Sequence, residues 1–364
     1  MEKTIIFVAD SLGSGGAQQV MLRSARLFDS SGYKVYIIAV KNHCRLMIPE
    51  SINVIYLNFK KGFGIYRWLT DFYYHQKLIK IIQSIEQQNN VAAIFVHQMF
   101  SSFLLGNPKF KMPIFHTVHI NYSEGYLNRK KSGRRLKKLR TLYNQKNILT
   151  VSQGIENDLI DNLKVTPRFI QTIYNPFDFQ KIRELSSNPI AFKSEPFLLT
   201  VGRFSKQKRH DILLKAYWSA NTPLPLVIIG DGSINEKNNL EAMVETLGLT
   251  EKVFIVGFKE NPYSWMKRAK LFILSSDFEG LPTVLIESLI CGTPAISTNC
   301  PSGPSEILVS TPEALSPVGD VENLSCNIIK FSQNPPEISQ TDLDRFKSEA
   351  ILKQYESCIA SCSF

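Results

Sequence analysis

Paired cysteines are missing. The six cysteines (Cys44, Cys291, Cys300, Cys326, Cys358 and Cys362) are scattered, and no two stand in Cys-x-x-Cys spacing. That excludes a disulfide-dense framework and the common zinc knuckles, and reads as reduced thiols in a cytoplasmic protein. Long hydrophobic runs are missing too. The start, MEKTIIFVAD, has only a short apolar run, so no signal-peptide core is expected. Nothing approaches the roughly 20 apolar residues of a membrane-spanning helix. Aromatic stacking motifs of nucleic-acid binders are absent.

What is present is a globular composition, 44% hydrophobic and 20% charged, in 364 residues, enough for two domains. Charge is uneven. Residues 1–190 hold 26 Lys and Arg against 12 Asp and Glu, whereas residues 191–364 hold 16 against 20. The basic half is expected to face an anionic partner.

The most informative stretch is Leu271–Pro304, LFILSSDFEGLPTVLIESLICGTPAISTNCPSGP. Leu271–Ser275 has the length of a buried strand. A polar corner follows, then Pro282 at a helix start, a helix from Thr283 to Ile290, and Gly292 as a left-handed cap. Ala295–Ser297 begins the next strand, so the segment predicts a βαβ unit of a parallel sheet. Glu279 falls at the carboxyl end of a strand, where open α/β sheets place ligands. Glu287 falls in an otherwise apolar helix and needs a partner if buried. Between them, backbone N–H groups at a helix N-terminus suit phosphate. A nucleotide sugar fits that order; an ion-paired Glu287 beside a solvated Glu279 is the competing reading.

The motif Phe278-Glu279-Gly280-Leu281-Pro282, with Glu287 eight residues after Glu279, resembles the signature of family 4 nucleotide-sugar glycosyltransferases of the GT-B fold. The following Cys291-Gly292-Thr293-Pro294 strengthens the resemblance, which covers most of the chain and is strongest from Val201 to Leu308. It implies that Glu279 contacts the donor sugar and Glu287 the ribose, with Gly280, Leu281, Pro282 and Thr283 lining the donor site. Gly202-Arg203-Phe204 with Lys208 resembles the family's diphosphate site, Arg as a fork and Lys as a point charge. Gly230-Asp231-Gly232 resembles a turn near the nucleotide, and Gly257-Phe258 the place where backbone reads the base. Pro301–Glu306 resembles enzymes of bacterial surface polysaccharide.

The first half opens with a strand at Ile5–Ala9, a glycine-rich turn, a helix from about Ala17 to Ser30 and a strand at Val35–Val40. A nicotinamide oxidoreductase would need Gly-x-Gly-x-x-Gly and an acid after the second strand. Gln18 and Lys41 stand there instead. The resemblance gives Gly15 and Gly16 a role beside the donor phosphates or the acceptor. His97, His116 and His119 lie at strand ends, and the resemblance favours His119 near the reaction centre. From Arg129 to Arg140 there are eight basic residues and no acid. We read Arg134, Arg135, Lys137 and Lys138 as contacts to an anionic membrane surface or a lipid-linked acceptor.

The expected architecture is α/β, two Rossmann-like domains facing across a cleft. Residues 1–185 would bind acceptor and residues 196–340 the nucleotide sugar. Ser186–Pro196 would be the hinge, and residues 341–364 a helix returning to the first domain. The implied reaction is retaining transfer of a hexose or N-acetylhexosamine from a UDP-linked donor to a lipid-linked glycan acceptor in O-antigen, capsule or lipopolysaccharide synthesis. A GDP-mannose donor is the alternative. No cofactor, no metal and no nucleic acid is expected, and the place of action is the inner face of the cytoplasmic membrane. Asp342-x-Asp344 is read as a helix cap.

Overall fold

A computed structural model describes residues 2–362 except 14, 63–65, 107, 109, 128–132 and 193. Its contacts divide the chain into two units, Met1–Pro176 with Ser348–Phe364, and Phe177–Lys347.

The first unit is built on seven strands: β1 (Lys3–Ala9), β2 (Lys34–Ala39), β3 (Asn53–Tyr56), β4 (Asn90–His97), β5 (Ile114–Val118), β6 (Asn147–Thr150) and β7 (Phe169–Thr172). All pair in parallel, in the order β3-β2-β1-β4-β5-β6-β7. Helices cover both faces of such a sheet, so both faces of its strands must be apolar. β1 shows this: after Lys3 every residue is buried. One face carries an aromatic core in which the Phe95 ring lies 5.5 Å from both Phe7 and Phe115. The C-terminal helix Ser348–Cys362 completes that core. Its Tyr355 stands edge-on to Phe95 at 5.2 Å and meets Ser24 Oγ at 3.4 Å. The expected return of the last helix to the first half is therefore present.

The second unit has six parallel strands: β8 (Phe197–Val201), β9 (Leu226–Ile229), β10 (Val253–Gly257), β11 (Ala269–Leu274), β12 (Ala295–Thr298) and β13 (Leu315–Ser316). Their order is β10-β9-β8-β11-β12-β13. The Thr283–Ile290 helix is present as read, and Gly292 adopts φ +85° as the cap requires.

Three expectations need correction. The chain passes from the first unit to the second at Pro176–Phe177, not at Ser186–Pro196. The Phe179–Ser186 helix belongs to the second unit: Asn261 Nδ2 donates to Leu185 O at 2.9 Å, and Ile182 is buried. Polar composition marked a loop there, but the contacts that define the unit lie upstream. The return crossing is at Lys347–Ser348, because Phe346 is buried and its carbonyl accepts from Phe177 N at 3.0 Å. The Asp342-x-Asp344 pair is not a cap. Ser339 caps the Gln340–Asp344 helix, Asp342 accepts from Ser310 N at 3.2 Å, and Asp344 pairs with Lys347 at 2.8 Å.

Candidate active site

Open parallel sheets bind ligands at the carboxyl ends of strands where the strand order reverses. In the second unit that point lies between β8 and β11, since the chain runs outward from β8 to β10 and then returns to β11. The loop after β8 carries Arg203 and Lys208; the loop after β11 carries Glu279.

The two loops are laced together. Lys208 Nζ donates to Glu279 Oε1 at 2.7 Å, and Ser276 Oγ donates to the same oxygen at 2.7 Å. The pair is shielded, with the Lys208 and Glu279 side chains 14% and 10% exposed. Ser275 Oγ donates to Lys208 O, Gln207 Nε2 to Phe278 O and Asp277 N to Gln207 O, at 2.7, 2.7 and 2.9 Å. Glycine is required nearby. A Cβ on Gly230 would sit 1.8 Å from Gly202 O, so the β8 and β9 ends can approach only with glycine there. A Cβ on Gly202 would press on the Lys208 stem at 3.2 Å. Gly257 O accepts from Gly230 N at 3.1 Å, and Phe258 beside it is exposed.

Arg209 escaped the sequence reading. Its backbone is left-handed, φ 48° and ψ 47°, a region costly for a side chain other than Gly, Asn or Asp. Its guanidinium forks onto Asp211 with both distances 2.9 Å and reaches Asp277 at 2.8 Å. Those bonds, from Arg209 first, hold the Asp211 carboxyl below its usual range. Arg203, by contrast, is exposed. Its charge reaches the next loop: Ser233 chiefly, and Arg203 more weakly, hold Glu236 below the carboxylate range.

The Thr283–Ile290 helix begins without a side-chain cap. Gly280 is half-buried while Leu281 and Pro282 are buried, and a Cβ on Gly303 would lie 2.4 Å from Pro282 Cδ. Glu287 is 4% exposed on the second turn. Burial, reinforced by the Glu287 charge, pushes the Cys291 thiol up to about 12.

In the first unit the strand order reverses between β1 and β4. Asp10 follows β1 and accepts from Ser101 N and Oγ at 2.7 and 2.5 Å; its own N–H donates to Gln98 Oε1 at 3.0 Å. Burial lifts the Asp10 carboxyl, and the Ser101 bonds oppose the lift. His97 Nδ1 and His119 Nε2 lie 2.7 Å apart with rings stacked at 5.0 Å. Burial holds both imidazoles neutral, His119 down to about 4 and His97 well below the usual range with the neighbouring His119 adding to the effect. His116 is engaged elsewhere, 3.0 Å from Ser102 Oγ. Gly15 caps the Gly16–Ser30 helix, with a Cβ there meeting Gln18 Oε1 at 2.5 Å. The Gly133–Tyr143 helix exposes Arg134, Arg135, Lys137 and Lys138. Arg140 is structural, its Nε donating to Leu163 O at 2.7 Å. Arg129, Lys130 and Lys131 lie outside the described residues.

Two family models divide the chain: "Glycosyltransferase Family 4" matches residues 14–181, and "Glycosyl transferases group 1" matches residues 182–350. The chain belongs to glycosyltransferase family 4. It is similar to an N-acetylgalactosamine-N,N'-diacetylbacillosaminyl-diphospho-undecaprenol 4-alpha-N-acetylgalactosaminyltransferase of Campylobacter jejuni, 39% identical over 160 residues, 44% of this chain and 43% of that protein. It also resembles the lipopolysaccharide 1,6-galactosyltransferase of Salmonella typhimurium, 28% identical over 58% of this chain and 61% of that one. The chain thus spans under half the length of the first curated relatives it matches, 43% and 41%. Among solved structures, Anabaena HepE in complex with UDP and glucose superposes with a TM-score of 0.75 at 17% identity, over 98% of this chain and 99% of that one. The fold of this family 4 chain is GT-B.

Within the family frame, the second unit brings Lys208 and Glu279 into direct contact. Arg203 is exposed, and Glu287 is buried on the Thr283–Ile290 helix. The sequence reading missed Arg209, Asp277 and Ser276 around the pair and Asp10 in the first unit, and it ranked His119 above His97 where the two are in contact. Adjacency to Lys208 and the polar run Ser275-Ser276-Asp277 were the available signals.

Proposed function

We propose that this protein is a retaining glycosyltransferase. Its donor is a nucleotide sugar, UDP-linked, carrying a hexose or N-acetylhexosamine. Its acceptor is a lipid-linked glycan in bacterial surface polysaccharide synthesis, and it works at the inner face of the cytoplasmic membrane. The observation that carries the reading is the Lys208–Glu279 pair, 2.7 Å apart at the strand-order reversal of the second unit. The names of relatives support it, one naming a diphospho-undecaprenol substrate and another lipopolysaccharide. HepE was solved with UDP and glucose.

The chemistry follows from charge. The acceptor hydroxyl attacks the anomeric carbon on the face the diphosphate leaves. The bond from that carbon to the phosphate oxygen breaks, its electron pair stays on the diphosphate, and the acceptor proton passes to a phosphate oxygen. Arg203 and Lys208 stabilise the growing negative charge. An ammonium has three donors, so Lys208 holds Glu279 with one and keeps two for phosphate. Both Glu279 bonds among the described residues fall on Oε1, leaving Oε2 for a sugar hydroxyl. Glu287 takes the ribose. Gly230, Gly257 and Phe258 border the nucleotide; Gly280, Leu281 and Thr283 offer backbone N–H groups to phosphate, and Pro282, which has none, sets the helix start between them. In the first unit, His119, kept neutral by burial, and the backbone at Gly15 and Gly16 are assigned to the acceptor's side of the reaction. The reading uses no metal and no cofactor. Arg134, Arg135, Lys137 and Lys138 meet the anionic acceptor.

A thermal-shift series with UDP, GDP and NAD tests the donor. UDP should raise the melting temperature, with GDP and NAD inert. Mass spectrometry of lipid extract incubated with UDP-sugars should then reveal a single added hexose or N-acetylhexosamine. No response to any nucleotide would overturn the reading.

A further inference from the structure

Helix faces turned to water are normally polar, and the start of the Tyr66–Gln88 helix is not. Tyr66, Trp68, Leu69, Phe72 and Tyr73 are 72, 70, 47, 54 and 59% exposed. At 100° per residue they cover one continuous face of about 160°. Trp68 and Phe72 stack at 6.3 Å. A patch of this kind on a soluble surface marks a docking site.

Its surroundings are basic. Residues 57–80 hold five Lys and Arg against one acid, Asp71. The helix is tied to its neighbour, Met99–Leu105, by His75 Nδ1 on Leu104 O at 2.9 Å. That neighbour exposes Phe103, 47% accessible, with Lys138 Nζ over its ring at 5.8 Å. Phe103 thus links the aromatic face to the basic Gly133–Tyr143 helix within one unit.

We propose that this combined surface docks on an anionic lipid bilayer, with the aromatic side chains entering the interface and the basic helix meeting the headgroups. Trp, Tyr, Phe and Leu beside Lys and Arg are what interfacial binding uses. The charges speak against a second copy as the occupant, because a symmetric pairing would set like charges together. No helix among the described residues is long and apolar enough to cross a membrane. The inference rests on the lipid-linked acceptor proposed above and adds to it the aromatic half of the contact.

Trp68 reports on its own burial. Trp218 is also exposed, and Trp265 is buried, so a Trp218→Phe background isolates the signal. With vesicles of equal phosphatidylglycerol and phosphatidylcholine, the Trp68 emission should shift to the blue, and with pure phosphatidylcholine it should shift far less. Changing Trp68, Phe72 and Tyr73 to Ser should weaken cosedimentation with the anionic vesicles at least roughly tenfold. Changing Arg134, Arg135, Lys137 and Lys138 to Glu should weaken it further and remove its salt dependence. These side chains are exposed, so melting temperatures should hold. UDP titration of the same proteins reports on the donor site alone and separates the two readings. The proposal is overturned if the Ser variant sediments like its parent, if the parent ignores anionic vesicles at low salt, or if the parent is a dimer that the Ser changes dissolve.

Discussion

Lys208 Nζ and Glu279 Oε1 meet at 2.7 Å, and through them the loop after β8 is fastened to the loop after β11. In the proposed reaction, a charge pair this shielded couples stability to catalysis. Removing one partner strands the other in a site poor in water.

Lys208→Ala should therefore act twice. Turnover should fall about 10²-fold or more, the scale for one lost transition-state charge partner. Stability should fall on the order of 3 kcal/mol, because among the described residues Glu279 keeps the Ser276 hydroxyl alone. Arg203→Ala should cost turnover by a similar factor without the stability loss, since Arg203 is exposed. Steady-state rates with urea unfolding check both, and near-normal turnover in both variants would sink the diphosphate assignment.

The two glutamates should separate by calorimetry. Glu287→Ala should weaken binding of free UDP. Glu279→Ala should leave UDP binding nearly intact while transfer fails. Loss of UDP binding in the Glu279 variant alone would mean the roles are reversed.

Arg209 offers a test of backbone against side chain. Arg209→Ala loses the fork on Asp211 and Asp277 and keeps the left-handed strain. Arg209→Gly loses the fork and relieves the strain. The Gly variant should be more stable than the Ala variant by about 1 kcal/mol. Equal stabilities in urea would show that the φ of 48° carries no strain.

Acid should loosen the first unit. His119 titrates near 6.5 when unfolded and only at about 4 when folded, and His116 only at about 3, both through burial first. Between those values the unfolded chain binds protons that the folded chain does not. Stability is thus full above about 6.5 and falls as the pH drops toward 4, by up to about 1.4 kcal/mol per pH unit for each such histidine. Calorimetric melting at pH 7 and pH 5 should show the fall, and His119→Gln should flatten it. A variant with the same pH slope as the parent would refute the assignment to His119.

Local patterns carried much of this. The apolar run, the polar corner and the 283–290 helix are short-range features, and Glu287 stood out as a carboxylate among Val284, Leu285, Ile286 and Leu289. The passage between the units did not show, because Ser186–Pro196 looks like a linker in composition. The burial of Ile182 and Phe346, which moves the first crossing upstream and the return crossing downstream, is a matter of long-range packing.

The sequence by itself determined the strand and helix alphabet, the two-part organisation, the acid pair Glu279 and Glu287, and the basic bias of the first half. These follow from periodicity, turn chemistry and charge, which act over a few residues. Only the tertiary structure decided that Lys208 sits on Glu279, 71 residues away, that Arg209 bridges to Asp277, and that His97 pairs with His119 across β4 and the end of β5. The reason is strand order. Parallel pairing brings distant loop ends side by side at the point of reversal, and no local signal encodes which strands become neighbours.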